Sequence, residues 1–304
     1  MAALGGHSHP IFCLRVIGSQ NAHSLLSIST DGRLCVWRLD DLSQPAEVME
    51  IYSASPQALK DQASSFELPS SGSGSSVARP EGAGDSSRLL GSSSSHPVAV
   101  TCMAFSESET NSFLIGSEQG VACRILRHAK SKGVETTYSA HFGPVTAVDI
   151  HPSRGAVDFS GLFLTSSIDW TVKIWAQASH VQGAAQPVPL RSFEDSTDYV
   201  SDVKWSPVHP ALFASADGSG TLRLWNLNAD TDAPVTRVDV SPGKAINHLI
   251  WTQDGRKIIT GDSTGTISVF DIGDNAIPSA TEFTDLQRTI QTLEEAASHR
   301  SHDL

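Results

Sequence analysis

The sequence predicts an all-β fold, a β-propeller of five recognisable blades followed by a C-terminal amphipathic helix. Three observations carry that expectation. First, a tight turn recurs with a large apolar residue five positions later: Gly32 to Trp37, Trp170 to Trp175, Gly220 to Trp225 and Gly265 to Phe270, with Gly120 to Ile125 as a degraded copy. Second, each turn is preceded by an alternating strand pattern, beginning at Ile11, Val100, Val145, Val200 and Ile246. Third, those starts lie 45 to 55 residues apart except for a first gap of 89. A period near 45 with several short strands per unit is the signature of a WD-type propeller blade.

The clearest unit is Ser166-Ser167-Ile168-Asp169-Trp170-Thr171-Val172-Lys173-Ile174-Trp175, in which a polar turn feeds a strand alternating up to Trp175. Weaker copies are Ser29-Thr30-Asp31-Gly32 before Val36-Trp37, Asp217-Gly218-Ser219-Gly220 before Leu224-Trp225, and Asp262-Ser263-Thr264-Gly265 before Val269-Phe270. The long first gap is explained by residues 53–95, rich in Ser and Gly, which lack the apolar area needed to offset ordering entropy and read as a disordered insertion. Phosphorylation or partner binding there is one reading, a tolerated surface insertion the other. Ala176–Pro189 reads as a shorter insertion.

After Phe270 the periodicity becomes helical. Phe283, Leu286, Ile290, Leu293 and Ala297 share one face, and Thr284 with Gln287 suggests a capping box, so a helix of about four turns is expected. Residues 1–277 are thus assigned to the propeller and 278–304 to the helix and tail. The helix either covers an exposed part of the propeller or docks on a partner.

A formal charge of −12 argues against a phosphate-binding surface, and hence against nucleic acid. The apolar runs are strand-sized, so no membrane insertion is expected. Cys13, Cys35, Cys102 and Cys123 form no C-x-x-C pair and are read as free thiols in a reducing, intracellular setting. No phosphate-cradling glycine motif occurs, and no cofactor or small-molecule substrate is expected. His7, His9 and Cys13 could supply three metal ligands, but His9-Pro10 and His96-Pro97 each enter a strand and read as loop residues. His141, Ser167 and Asp169 invite a catalytic triad, yet no Gly-x-Ser-x-Gly elbow surrounds Ser167. The expectation is no enzyme. Instead a His, a Ser or Thr, the turn Asp and the Trp indole would form a hydrogen-bonded chain that fixes the blade, with His141, Ser167, Trp175, Trp37, Trp225 and Phe270 as structural residues. Trp170 occupies a position held by glycine in the other units, and it reads equally as a partner contact or as packing on a neighbouring loop.

Beyond the repeat, several stretches resemble the propeller of the cytoplasmic dynein intermediate chain family. They are Gly18-Ser19-Gln20-Asn21-Ala22-His23, Gly155-Ala156-Val157-Asp158-Phe159-Ser160, the Ser166–Trp175 stretch, Phe193-Glu194-Asp195, Asp198-Tyr199-Val200, Trp205-Ser206-Pro207, His209-Pro210-Ala211-Leu212-Phe213-Ala214 and Leu224-Trp225-Asn226-Leu227-Asn228. The resemblance implies a non-catalytic scaffold subunit of a microtubule motor. Its propeller would bind the dynein heavy-chain tail, join other dynein subunits and tie cargo adaptors to the motor in the cytoplasm. The alternative is a generic WD-repeat adaptor such as a ubiquitin-ligase substrate receptor. Trp170, Asp169, Phe142, Asp31 and Arg33 are the expected partner-facing residues, from turn and loop position. Family propellers have seven blades, so five units imply an incomplete ring: a fragment, an alternative start or a divergent paralogue. An open arc with two raw edges is expected.

Overall fold

In a computed structural model, residues 5–19, 22–52, 97–106, 109, 111–127, 134–155, 157–177 and 187–302 are described. The Ser-rich insertion at 53–95 and most of the shorter one lie outside these residues.

Nineteen strands form five antiparallel sheets among the described residues. Blade 1 comprises β1 (Ile11–Ser19), β2 (Ala22–Ser29), β3 (Arg33–Arg38) and β4 (Glu47–Glu50). Blade 2 has β5 (Val100–Phe105), β6 (Ser112–Ser117), β7 (Val121–Leu126) and β8 (Val134–Ser139). Blade 3 has β9 (Val145–Ile150), β10 (Leu162–Ser167), β11 (Val172–Ala176) and β12 (Arg191–Phe193). Blade 4 has β13 (Val200–Trp205), β14 (Leu212–Asp217), β15 (Thr221–Asn226) and β16 (Thr236–Asp239). Blade 5 stops at three strands: β17 (Ile246–Trp251), β18 (Lys257–Asp262) and β19 (Ile267–Asp271).

Each blade is a meander because the turn residue between its second and third strands supplies a positive φ: Gly32 (72°), Gly120 (77°), Trp170 (70°), Gly220 (89°) and Gly265 (83°). Gly220 has a second reason to lack a side chain, since a Cβ there would stand 2.0 Å from the Ser241 carbonyl oxygen. The inner strands of successive blades are neighbours, and in blades 2 to 4 the second residue of that strand ties the blade to the next. The Thr101 hydroxyl donates to the Val145 carbonyl (2.5 Å) and Thr146 to the Val200 carbonyl (2.6 Å). Ser201 does the same to the Ile246 carbonyl.

Apolar residues fill the seams. The Trp-bearing face of a blade packs on the blade before it, as where Phe163 and Trp175 meet Tyr138 of blade 2. The series ends on faces without that cover: Leu14 and Val16 at blade 1, and Ile250, Ile267 and Val269 at blade 5, are exposed.

The helix α1 (Glu282–His302) is longer than expected, about six turns, and begins earlier. The anticipated capping box does not form. Thr284 already lies in the first turn, where its hydroxyl donates back to the Thr281 carbonyl (2.8 Å). Leu286, Ile290, Leu293 and Ala297 are buried in one cluster with Phe159, Leu162, Ala211 and Leu227, so the helix lies across blades 3 and 4. Asn228 fixes its start by donating to the Glu282 carbonyl (3.0 Å). No helix among the described residues is long and apolar enough to cross a membrane.

Candidate partner-binding site on the third blade

In blade 3 the polar chain is built around His141, which lies on the loop between β8 and β9. Trp175 donates its indole N–H to Thr165 Oγ1 (2.9 Å), whose own hydroxyl reaches His141 Nε2 (2.7 Å). Thr165 has one proton to give, so it donates to Nε2 and the ring proton sits on Nδ1, which donates to Asp169 Oδ2 (2.9 Å). Asp169 also accepts the Phe142 and Thr171 backbone N–H groups (both 3.0 Å). Burial pulls the His141 pKa below its ordinary value, against the opposing pull of Asp169, so the neutral ring is the resting state. Burial alone would raise the Asp169 carboxyl, but the bonds from His141, Thr171 and Phe142 outweigh it and hold that group well below the usual carboxylate range.

Ser167 stands outside this chain. Its fully buried hydroxyl donates to the Gly143 carbonyl (2.9 Å) and accepts the Asp169 N–H (3.1 Å), while both His141 nitrogens are committed elsewhere. The three residues of the apparent triad therefore brace one loop.

The same chain recurs in blade 1 with His7, expected from its spacing only as a candidate metal ligand. His7 contacts Asp31 (3.2 Å) and Ser27 (2.7 Å), and Trp37 donates to Ser27 (2.7 Å). Blade 4 keeps the Trp225 to Ser215 bond (3.0 Å) but replaces histidine with Arg223, which donates to Asp217 (2.5 Å). Asp217 and Asp262 sit three residues before the turn glycine, whereas Asp31 sits one before Gly32 and Asp169 one before Trp170. Both placements capture the same N–H, from Arg33, Thr171, Thr221 or Thr266 (2.9–3.0 Å). Phe270 takes the tryptophan position in blade 5 without an indole donor and packs against the seam with blade 4.

What the chain in blade 3 holds up is apolar. Phe142 is 98% exposed and Trp170 is 52% exposed; Ile168 of the same turn is also exposed. Because the Phe142 N–H and the Asp169 side chain are bonded, Phe142 stands beside the Ile168–Trp170 turn. Trp170 adopts φ 70°, a left-handed conformation that costs a non-glycine residue about 1–2 kcal/mol. Asp169 and Asp31 face inward. Arg33 lies in blade 1, donating to Glu50 (3.3 Å), and belongs to a different loop cluster. The signal for the patch is local: aromatics at the two loop positions that flank the turn acid.

The family description "WD domain, G-beta repeat" matches residues 133–176, 187–226 and 231–271. The chain is a WD-repeat protein. Its third to fifth blades carry the matched repeats, and its first two share their geometry. Over 278 residues, 91% of its length, this WD-repeat chain is 40% identical to the cytoplasmic dynein 1 intermediate chain of Drosophila melanogaster. It spans about a third (35%) of that relative's length. Its fold is also similar to a chain in the crystal structure of the mitotic checkpoint complex, with a TM-score of 0.58, 14% identity, and 87% of this chain and 63% of that one covered.

Proposed function

We propose that this chain is a non-catalytic scaffold subunit of the cytoplasmic dynein complex. In this reading it binds the heavy-chain tail through the Phe142, Ile168 and Trp170 patch, and so links cargo adaptors to transport along microtubules. Its similarity to a dynein intermediate chain supports the complex. The observation that carries the site is Trp170 itself. A bulky, half-exposed aromatic is kept in a backbone conformation that suits glycine, as at the equivalent position of the other four blades. Retained strain of this kind marks functional positions, and tryptophan beside exposed apolar neighbours is a frequent interface anchor. Asp169 and His141 act as supports that fix the loop, as Asp31 and His7 do in blade 1.

The decisive variant is Trp170→Gly, which removes the aromatic and relieves the backbone at once. Capture of a purified heavy-chain tail segment is expected to weaken at least tenfold, while the melting temperature stays level or rises. Unchanged capture removes the patch from the interface. An affinity purification that returns ligase components and no dynein subunits replaces the whole reading with the generic adaptor.

A further inference from the structure

The turn residue of one blade butts against the loop that enters the next. A Cβ at Gly32 would stand 2.7 Å from Pro97, one at Gly120 2.6 Å from the His141 carbonyl oxygen, and one at Gly220 2.8 Å from the Lys244 carbonyl oxygen. The blade 2 turn, Glu118-Gln119-Gly120, therefore lies against the loop that carries Phe142, and Glu118 is exposed there. On the other side of the patch, β12 pairs with β11 so that Ser192 faces Lys173 and Phe193 faces Val172. The next step of that register sets Glu194, also exposed, beside Thr171 and hence beside Trp170. By the relation seen at the three glycines, Trp170 turns toward residues 194–199, which include Asp198.

The charge around Phe142, Ile168 and Trp170 is one-sided. Arg223 and Arg237 are matched by Asp195 and Asp217, so these four cancel. With His141 neutral, Glu118, Asp169, Glu194 and Asp198 remain against Lys173 alone, which is buried and donates to Ser192 Oγ (2.8 Å). Residues 117–121, 140–144, 167–171 and 194–199 contain no Lys or Arg. The backbone of the patch offers no edge to pair with. The N–H groups of Phe142 and Thr171 go to Asp169, that of Ile168 to the Pro144 carbonyl and that of Asp169 to Ser167. A segment docking here meets side chains only, so it must satisfy its own backbone groups, as a helix does.

We propose that the segment this patch takes is an amphipathic helix with a basic border. Its apolar face meets Phe142, Ile168 and Trp170, and Lys or Arg on its two flanks meets Glu118 on one side and Glu194 with Asp198 on the other. The inference rests on the third blade being the contact and adds the chemistry of the partner. A helix that presents an apolar stripe carries its charged residues along both borders, which suits acids placed on both sides of an apolar centre. The aromatic anchors supply most of the affinity. The acidic rim speeds encounter with a basic helix, fixes how it lies and rejects acidic segments of similar apolar pattern.

Binding of a purified heavy-chain tail segment to the full chain tests it, measured between about 0.1 M and 1 M salt, where the screening length falls from about 10 Å to about 3 Å. Wild-type affinity is expected to fall with salt. Glu118→Lys with Glu194→Lys should weaken binding about tenfold at the lower salt, chiefly through the association rate, and the loss should fade at the higher. Both side chains are exposed, so the melting temperature should match that of the wild type; should the Lys pair fold poorly, Glu118→Gln with Glu194→Gln is expected to give a smaller loss of the same salt dependence. A photocross-linking benzoylphenylalanine in place of Phe142 should mark tail residues three or four apart, with Lys or Arg beside them. Trp170→Gly keeps the two levels apart. If it leaves binding unchanged, or if the wild type does not bind the tail, the patch and this inference fall together. If it weakens binding while salt and the charge variants do not, the patch stands and the basic border is overturned. Cross-links at every second residue overturn the helix.

Discussion

The polar residues of the blades obey one rule that the eye passes over in the linear sequence. Each tryptophan five places after a turn residue donates its indole hydrogen bond to a hydroxyl ten residues earlier: Ser27 for Trp37, Thr165 for Trp175 and Ser215 for Trp225. The spacing is that of two antiparallel strands joined by a fixed turn. Blade 2 has lost both members, with Ile115 and Ile125 in their place, and both are buried in the apolar seam. The tryptophan was legible in the sequence because its offset from the turn is constant. Its acceptor was not, because Ser167 lies beside the turn and draws attention while Thr165 does the bonding. His7 was missed for a related reason: it stands 24 residues from Asp31, too far for any local pattern. Buried histidines also set a pH dependence. His151 donates Nε2–H to the Pro210 carbonyl (2.9 Å) and accepts the Ser153 N–H at Nδ1 (3.0 Å), so it is held neutral. Burial pushes its pKa down to about 4. The unfolded chain, with an ordinary histidine near 6.5, takes up the proton first, so stability present at pH 7 is lost as pH falls toward 4, by about 3 kcal/mol for this residue. Asp169, held low, adds a loss in the same direction at still lower pH. Urea midpoints measured between pH 7 and 4 should fall, and the slope should flatten in His151→Gln.

Among the elements, α1 gives the clearest contrast between pattern and context. Its apolar face was legible because the 3.6-residue period is strong, but its start was not, because no capping box forms and Asn228 of blade 4 holds the first turn. What the face covers was left open by the sequence and follows from packing: Leu286 is fully buried between blades 3 and 4. Leu286→Ala should cost about 2–5 kcal/mol in chemical denaturation, as for other large-to-small changes in packed sites. Gly155 reports on the same docking from the other side, since a Cβ there would lie 1.9 Å from a Phe283 ring carbon. Gly155→Ala is therefore expected to displace the Phe283 ring and destabilise the protein, and Gly155→Ala with Phe283→Leu should recover part of the loss. A tryptophan fluorescence melt reads both. The outer strands make a different point. The charges that guard their edges, such as Glu47 on β4 and Arg237 on β16, are visible in sequence only after the topology says which strand is outermost, since either alone looks like an ordinary surface residue.

Across the whole molecule, five units were legible because one turn geometry repeats five times, and the five sheets bear out that count, while the family match covers three repeats within residues 133–271. The exposure of Leu14, Val16, Ile250, Ile267 and Val269 at the two ends was not legible residue by residue, because the same side chains would be buried within a longer series. The hydroxyl to carbonyl bonds from Thr101, Thr146 and Ser201 give the interior of the series a property that the ends lack. Blades 2 to 4 are each fastened to their successor by one short bond on the inner strand, and an apolar seam joins every successive pair, so the protein behaves as a line of units coupled to nearest neighbours. Blades 3 and 4 have a neighbour on both sides and the helix beneath, and blades 1 and 5 have one neighbour each. Opening should therefore begin at the termini of the line and travel inward. Native-state hydrogen exchange is expected to show amide protection highest in β10, β11, β14 and β15, falling through blade 2 toward β1 and through β17 toward β19. Uniform protection across the five blades would mean that the protein opens as a single unit.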